Sequence, residues 1–136
     1  MLYQPMKKML RATFAGHLLI GLLALLATVH VLVLLQIVPS EVILGQQNNG
    51  EHPTPFAFGS LLVIAIFTSI VALKTRSLKF EKPAPRIVDT GLWILLVYAA
   101  LNLGSNLVSR SALENVYLAP FTLIFIFLVY RLTIEE

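Results

Sequence analysis

His30, Ser60, Asn102, Asn106 and Thr122 are the residues of this chain best equipped to bind something. Each sits inside a long apolar run and brings a hydrogen-bonding group to a setting with no water to offer. Among them no nucleophile has a base at usable spacing, so they do not compose a catalytic constellation. Two uses remain. They can line a small cavity for a modest polar ligand or a lipid headgroup, or they can hydrogen-bond one another and hold helices together. Asn102, Asn106 and Ser109 recur at offsets of four and seven, which puts them on one face of a helix. Pro120 lacks an N–H and thereby frees the carbonyl of Val116 as a further acceptor near Thr122. His17 belongs to a different stripe, with Gly21, Ala24 and Thr28 at offsets of four, seven and eleven, a pattern expected of a helix contact face.

The elements that must position these groups follow from composition. Of the 136 residues, 57% are hydrophobic and 12% are Asp, Glu, Lys or Arg, with a mean hydropathy of +0.83. A soluble domain carries about a quarter charged residues, so an ordinary water-soluble enzyme is excluded. Four stretches are free of charge: Thr13 to Val38, Phe56 to Leu73, Thr90 to Ser109, and Asn115 to Tyr130. At about 1.5 Å of rise per residue each can cross some 30 Å of hydrocarbon, the last once its helix starts a little before Asn115. Ser111 and Glu114 have the spacing of a capping box, which starts the fourth helix at Ala112 and makes helices three and four a tight hairpin. The expected helices are therefore 13–38, 56–73, 90–109 and 112–131. Pro39 to Thr54 and Lys74 to Asp89 read as loops, from their Gly, Pro, polar and charged residues. Lys7, Lys8 and Arg11 before the first run resemble a signal-peptide n-region. The run is too long and lacks a small-x-small site, so an uncleaved helix is expected.

Basic residues orient the bundle. Nine of the ten (Lys7, Lys8, Arg11, Lys74, Arg76, Lys79, Lys82, Arg86 and Arg131) fall on one side and Arg110 alone on the other. Basic residues are retained in the cytoplasm, so both termini are expected inside. The same asymmetry explains the net charge of +3 without nucleic acid. On this reading His30 lies eight residues, about 12 Å, below the outer end of its helix, at the depth of Asn102, Ser60 and Thr122.

Other chemistries find little support. With no cysteine, disulfide exchange and thiolate metal sites are excluded. The spans contain no Asp, Glu, Lys or Arg, which argues against a carboxylate-driven exchanger. His17 and His30 are thirteen residues apart on one helix with no partner His on another span, so bis-His haem ligation would need a homodimer. Glu41, Glu51 and His52 share a loop without diagnostic metal spacing. No cofactor and no resident metal are expected.

His30, the stretch from Pro39 to Gly45, the Leu92-Trp93 pair, Leu101-Asn102, Asn106-Leu107, Ser109 and Glu114 together resemble a group of small bacterial four-helix membrane proteins without an assigned activity. Members tend to carry Gly immediately before the second Asn, where this chain has Ser105 and places its Gly at Gly104. The resemblance spans most of the chain. It implies four membrane helices and the bacterial cytoplasmic (inner) membrane, and it supplies no substrate.

The expectation is thus an all-α polytopic membrane protein, four transmembrane helices in an antiparallel bundle with N and C termini inside. It is expected not to be an enzyme. Its function is then either binding of a small polar ligand or lipid headgroup at His30, Ser60, Asn102, Asn106 and Thr122, or service as a structural or accessory subunit of a membrane complex, or that of a small transporter. The lipid bilayer is its expected partner, and a second copy or another membrane protein is compatible with small-residue pairs such as Ala100 with Gly104.

Overall fold

Uninterrupted runs of Leu, Ala, Ile, Phe and Val leave the backbone no solvent to bond with, so each run closes its own hydrogen bonds as a helix. A computed structural model describes residues 10–39, 53–108 and 114–135. Among them are helices α1 (Ala12–Leu34), α2 (Pro53–Lys79), α3 (Arg86–Val108) and α4 (Ala119–Thr133), with one π-helical turn (Glu114–Leu118) leading into α4, and no strand. The capping box at Ser111 and the start at Ala112 fall outside the described residues.

Helix ends differ from those expected, for identifiable reasons. α1 stops at Leu34 although the apolar run continues to Val38. The Gln36 N–H donates to the Val33 carbonyl at 3.0 Å and the Ile37 N–H to the Leu32 carbonyl at 2.9 Å, with Gln36 at φ 58°, which is a Schellman stop. α2 runs six residues past Leu73, to Lys79, and α3 starts at Arg86, so most of the expected basic loop is helix. Lys and Arg are good helix formers and sit favourably at the negative end of the helix dipole, as do Arg76 and Lys79 in the last turn of α2. A second Schellman stop closes α2, with Glu81 at φ 53° and the Lys82 N–H donating to the Ser77 carbonyl at 2.9 Å.

The helices alternate in direction. The end of α2 meets the start of α1 through Thr75 and Gly16 and the start of α3 through Lys74 and Asp89, while the end of α4 meets the second residue before α1 through Arg131 and Leu10. We call this the basal end and the opposite one distal. Buried positions recur every seven residues, as in Gly16, Leu23 and His30, in Ala57, Ile64 and Val71, and in Leu92, Ala99 and Asn106. That is the spacing of left-handed helix packing. Ala15, Leu19 and Leu23 of α1, Val71 of α2, Leu92 and Leu95 of α3, and Leu128, Val129 and Leu132 of α4 form one apolar core. Two glycines permit close approach. A Cβ on Gly16 would fall within the van der Waals radius of Thr75 Oγ1, and one on Gly91 would lie 2.7 Å from Ile70 Cδ1.

The outer surface is apolar, with Leu25, Phe58, Leu62, Ile94, Leu101 and Leu123 exposed. α1, α2 and α3, and α4 taken together with the end of the π turn before it (Val116–Thr133), are long and apolar enough to cross a membrane. These features define a multi-pass α-helical membrane protein.

Candidate functional site

Toward the distal end polar residues join the buried positions. His30, Asn106 and Thr122 are all buried, in register with the apolar residues that fill the core below them. Asn106 Nδ2 donates to Thr122 Oγ1 at 3.2 Å, and Thr122 Oγ1 donates to the Leu118 carbonyl at 2.8 Å. The hydroxyl thus accepts from α3 and donates within its own helix. This uses the Leu118 carbonyl, not the Val116 carbonyl expected from Pro120. The wider π turn over Glu114–Leu118 accommodates the missing Pro120 N–H just ahead of it. His30 Nδ1 donates to the Leu26 carbonyl at 2.8 Å. In the neutral ring this leaves Nε2 as a buried acceptor.

Ser60 is half-buried on α2, and Asn102 is exposed. That second placement departs from the expected cluster of all five groups. Asn102 is roughly 40° around the helix from Asn106, on the side that faces α2. Lower on that side α2 covers α3, through Ile70 on Gly91 and the Phe67 and Tyr98 rings 5.8 Å apart. Beyond Tyr98 the cover ends. Leu62 and Val63 of α2 and Leu101, Asn102 and Ser105 of α3 are all exposed there. Tyr98, Asn102 and Ser105, at offsets of four and seven, make an outward polar edge with no hydrogen bond among the described residues. Of the five expected site residues, the structure bonds Asn106 to Thr122, buries His30 at the same end, and leaves Asn102 on the surface.

The stripe of His17, Gly21, Ala24 and Thr28 also faces outward, not toward another helix. Gly21 and Gly104 have open space where a Cβ would stand. His17 Nδ1 donates to the Thr13 carbonyl at 2.6 Å. Ser109 and the loop residues Glu41, Glu51 and His52 lie outside the described residues.

Two charged residues that the sequence places in loop and tail, Lys74 and Arg131, are buried at the basal end. Lys74 Nζ donates to Asp89 Oδ1 at 2.7 Å, with Lys74 almost fully enclosed and Asp89 in the first turn of α3. Arg131 is 2% exposed; its Nε donates to the Leu10 carbonyl at 2.9 Å and its Nη1 to Glu135 Oε2 at 2.6 Å. The signal was present in the sequence, since Lys74 and Arg131 each directly extend an apolar run in helical phase. Two surface concavities flank Arg11 here. One, of about 470 Å³, is lined by Leu10, Arg11, Thr13, Phe14 and His17. The other, of about 280 Å³, is lined by Arg11, Ala12, Thr13, Leu78, Arg131 and Glu135.

The class these observations define is a polytopic helical membrane protein with a polar distal core and charged basal anchors. No protein-family model, curated protein or solved structure matches the chain.

Proposed function

We propose that the protein is a structural subunit of a homomeric assembly in the bacterial cytoplasmic membrane, with both termini in the cytoplasm, and that it meets a second copy along the Tyr98–Asn102–Ser105 edge of α3. Asn102 carries the proposal: it is exposed at membrane depth and has no hydrogen-bond partner among the described residues. An unpaired amide in hydrocarbon costs several kcal/mol. A two-fold axis along the membrane normal brings Asn102 of two copies to the same depth, and a carboxamide both donates and accepts, so the pair satisfies itself. Tyr98 and Ser105 add hydroxyls on the same edge.

The absence of cysteine makes the test direct. Asn102→Cys and Ser105→Cys are each oxidised in native membranes, beside Gly104→Cys on the opposite face of α3. Crosslinked dimers at 102 and 105 and few at 104 support the interface. Equal yields at all three, or none at 102 and 105, reject it. In mild detergent, Asn102→Leu moves the native mass spectrum from dimer to monomer.

A second reading, a small polar ligand or lipid headgroup at the distal cluster, is favoured by the buried His30 side chain, whose Nε2 has no hydrogen-bond partner among the described residues. A co-purified mass that wild type keeps and His30→Ala loses supports it.

A further inference from the structure

We propose that the basal end of the bundle carries a phosphate site, formed by Arg11 and Arg131 at the start of α1 and occupied by the headgroup of an anionic phospholipid. Arg131 is the buried member. A guanidinium has five N–H groups, and Nε and Nη1 each spend one on Leu10 and Glu135. The other three have no partner among the described residues, although the side chain is almost wholly enclosed and lines the 280 Å³ concavity. Enclosed donors of a cation need an acceptor, and an anionic phosphate oxygen is the strongest available at a membrane surface.

The rest of the concavity has matching chemistry. α1 starts at Ala12, with Arg11 in extended conformation as its N-cap, no side-chain cap and no acidic residue in its first turn. The first backbone N–H groups are therefore unclaimed by the helix, and Ala12 and Thr13, which carry two of them, line the same concavity. Among the described residues that line it, two guanidinium groups stand against one carboxylate, that of Glu135, and the positive end of the α1 dipole adds to them. Arg11 and Thr13 also border the 470 Å³ concavity, whose other walls include Leu10 and Phe14. A phosphate beside Arg11 thus continues into an apolar wall suited to glycerol and acyl carbon, which favours a phospholipid over a free ion.

Wild-type protein in mild detergent is titrated with phosphatidylglycerol or phosphatidylcholine and read by native mass spectrometry. Wild type is expected to retain phosphatidylglycerol preferentially, and Arg11→Gln to retain it about fivefold less, the effect of one basic residue near an anionic surface. Arg11 is exposed, so this change leaves the packing in place. Arg131→Lys keeps the charge but loses the planar fork, and it is expected to weaken retention while the thermal transition stays cooperative. Arg76→Gln, an exposed charge on α2, is the control. Inorganic phosphate is added as a competitor. Displacement of lipid by millimolar phosphate assigns the site to phosphate in general, and resistance assigns it to the lipid. Equal loss in Arg76→Gln and Arg11→Gln, or equal retention of the two lipids, overturns the site.

Discussion

Asn106 and Thr122 are joined across α3 and α4 by a single hydrogen bond of 3.2 Å, and the Thr122 hydroxyl is bonded onward to the Leu118 carbonyl at 2.8 Å. The two ends of this pair are unequal. Without Asn106, Thr122 still has Leu118. Without the Thr122 hydroxyl, the Asn106 amide is left buried with no acceptor in α4.

Asn106→Leu is therefore expected to cost little, about 0.6 kcal/mol for a lost interhelical bond in a membrane bundle. Thr122→Val, which keeps the shape, is expected to cost about 1–3 kcal/mol for the stranded donor. Reversible unfolding in detergent measures both, and equal costs would contradict the directional reading.

Gly16 and Gly21 are five residues apart in α1 and are expected to respond oppositely to alanine. A Cβ at Gly16 meets the Thr75 side chain, at 3.0 Å from its Cβ and Cγ2 as well as against Oγ1, and Thr75 is held by its bond to Val71. Gly16→Ala should push α1 from α2 and destabilise by about 1–3 kcal/mol. Gly21 has nothing within 4 Å, so Gly21→Ala should gain on the order of 0.5–1 kcal/mol from helix propensity. Thermal midpoints of the two variants, measured side by side, decide it.

Gln36 and Glu81 hold left-handed conformations that cost a non-glycine residue about 1–2 kcal/mol. Gln36→Gly and Glu81→Gly should each recover part of this, and hydrogen exchange of the Ile37 and Lys82 amides should slow. Faster exchange in both variants would show that the side chains contribute more than the strain removes.

The Lys74–Asp89 pair is asymmetric as well, since the Lys74 side chain is 4% exposed and that of Asp89 is 45% exposed. Asp89→Ala strands a buried ammonium, with an expected cost of about 2 kcal/mol, below the range for fully buried pairs because water reaches Asp89. Lys74→Met should cost less, as Asp89 keeps its solvent and its place at the positive end of α3. The ordering of the two unfolding free energies is the test.

The candidate site was only partly legible in advance. Asn106 and Thr122 were visible as polar residues in helical phase with core positions. Asn102 was visible too, but its exposure was not. It continues the series of Val88 and Leu95 at intervals of seven, and only the loss of α2 cover beyond Tyr98 turns it outward. In the sequence Lys74 and Arg131 read as loop and tail, because charge marks the end of each uncharged run. Both helices instead continue through the charge, which finds Asp89, Leu10 and Glu135 as partners.

By itself the sequence determined the class and the number of helices. Hydrocarbon admits only backbone that bonds to itself, so long apolar runs separated by Pro, Gly and charge leave four helices as the one solution. Tertiary structure decided which face of each helix is covered. All four helices differ little in polarity around their circumference, α3 least of all, because lipid and core are equally apolar. What chooses the inward face is the fit of Gly16 to Thr75, of Gly91 to Ile70 and of Asn106 to Thr122, contacts between residues far apart in the chain.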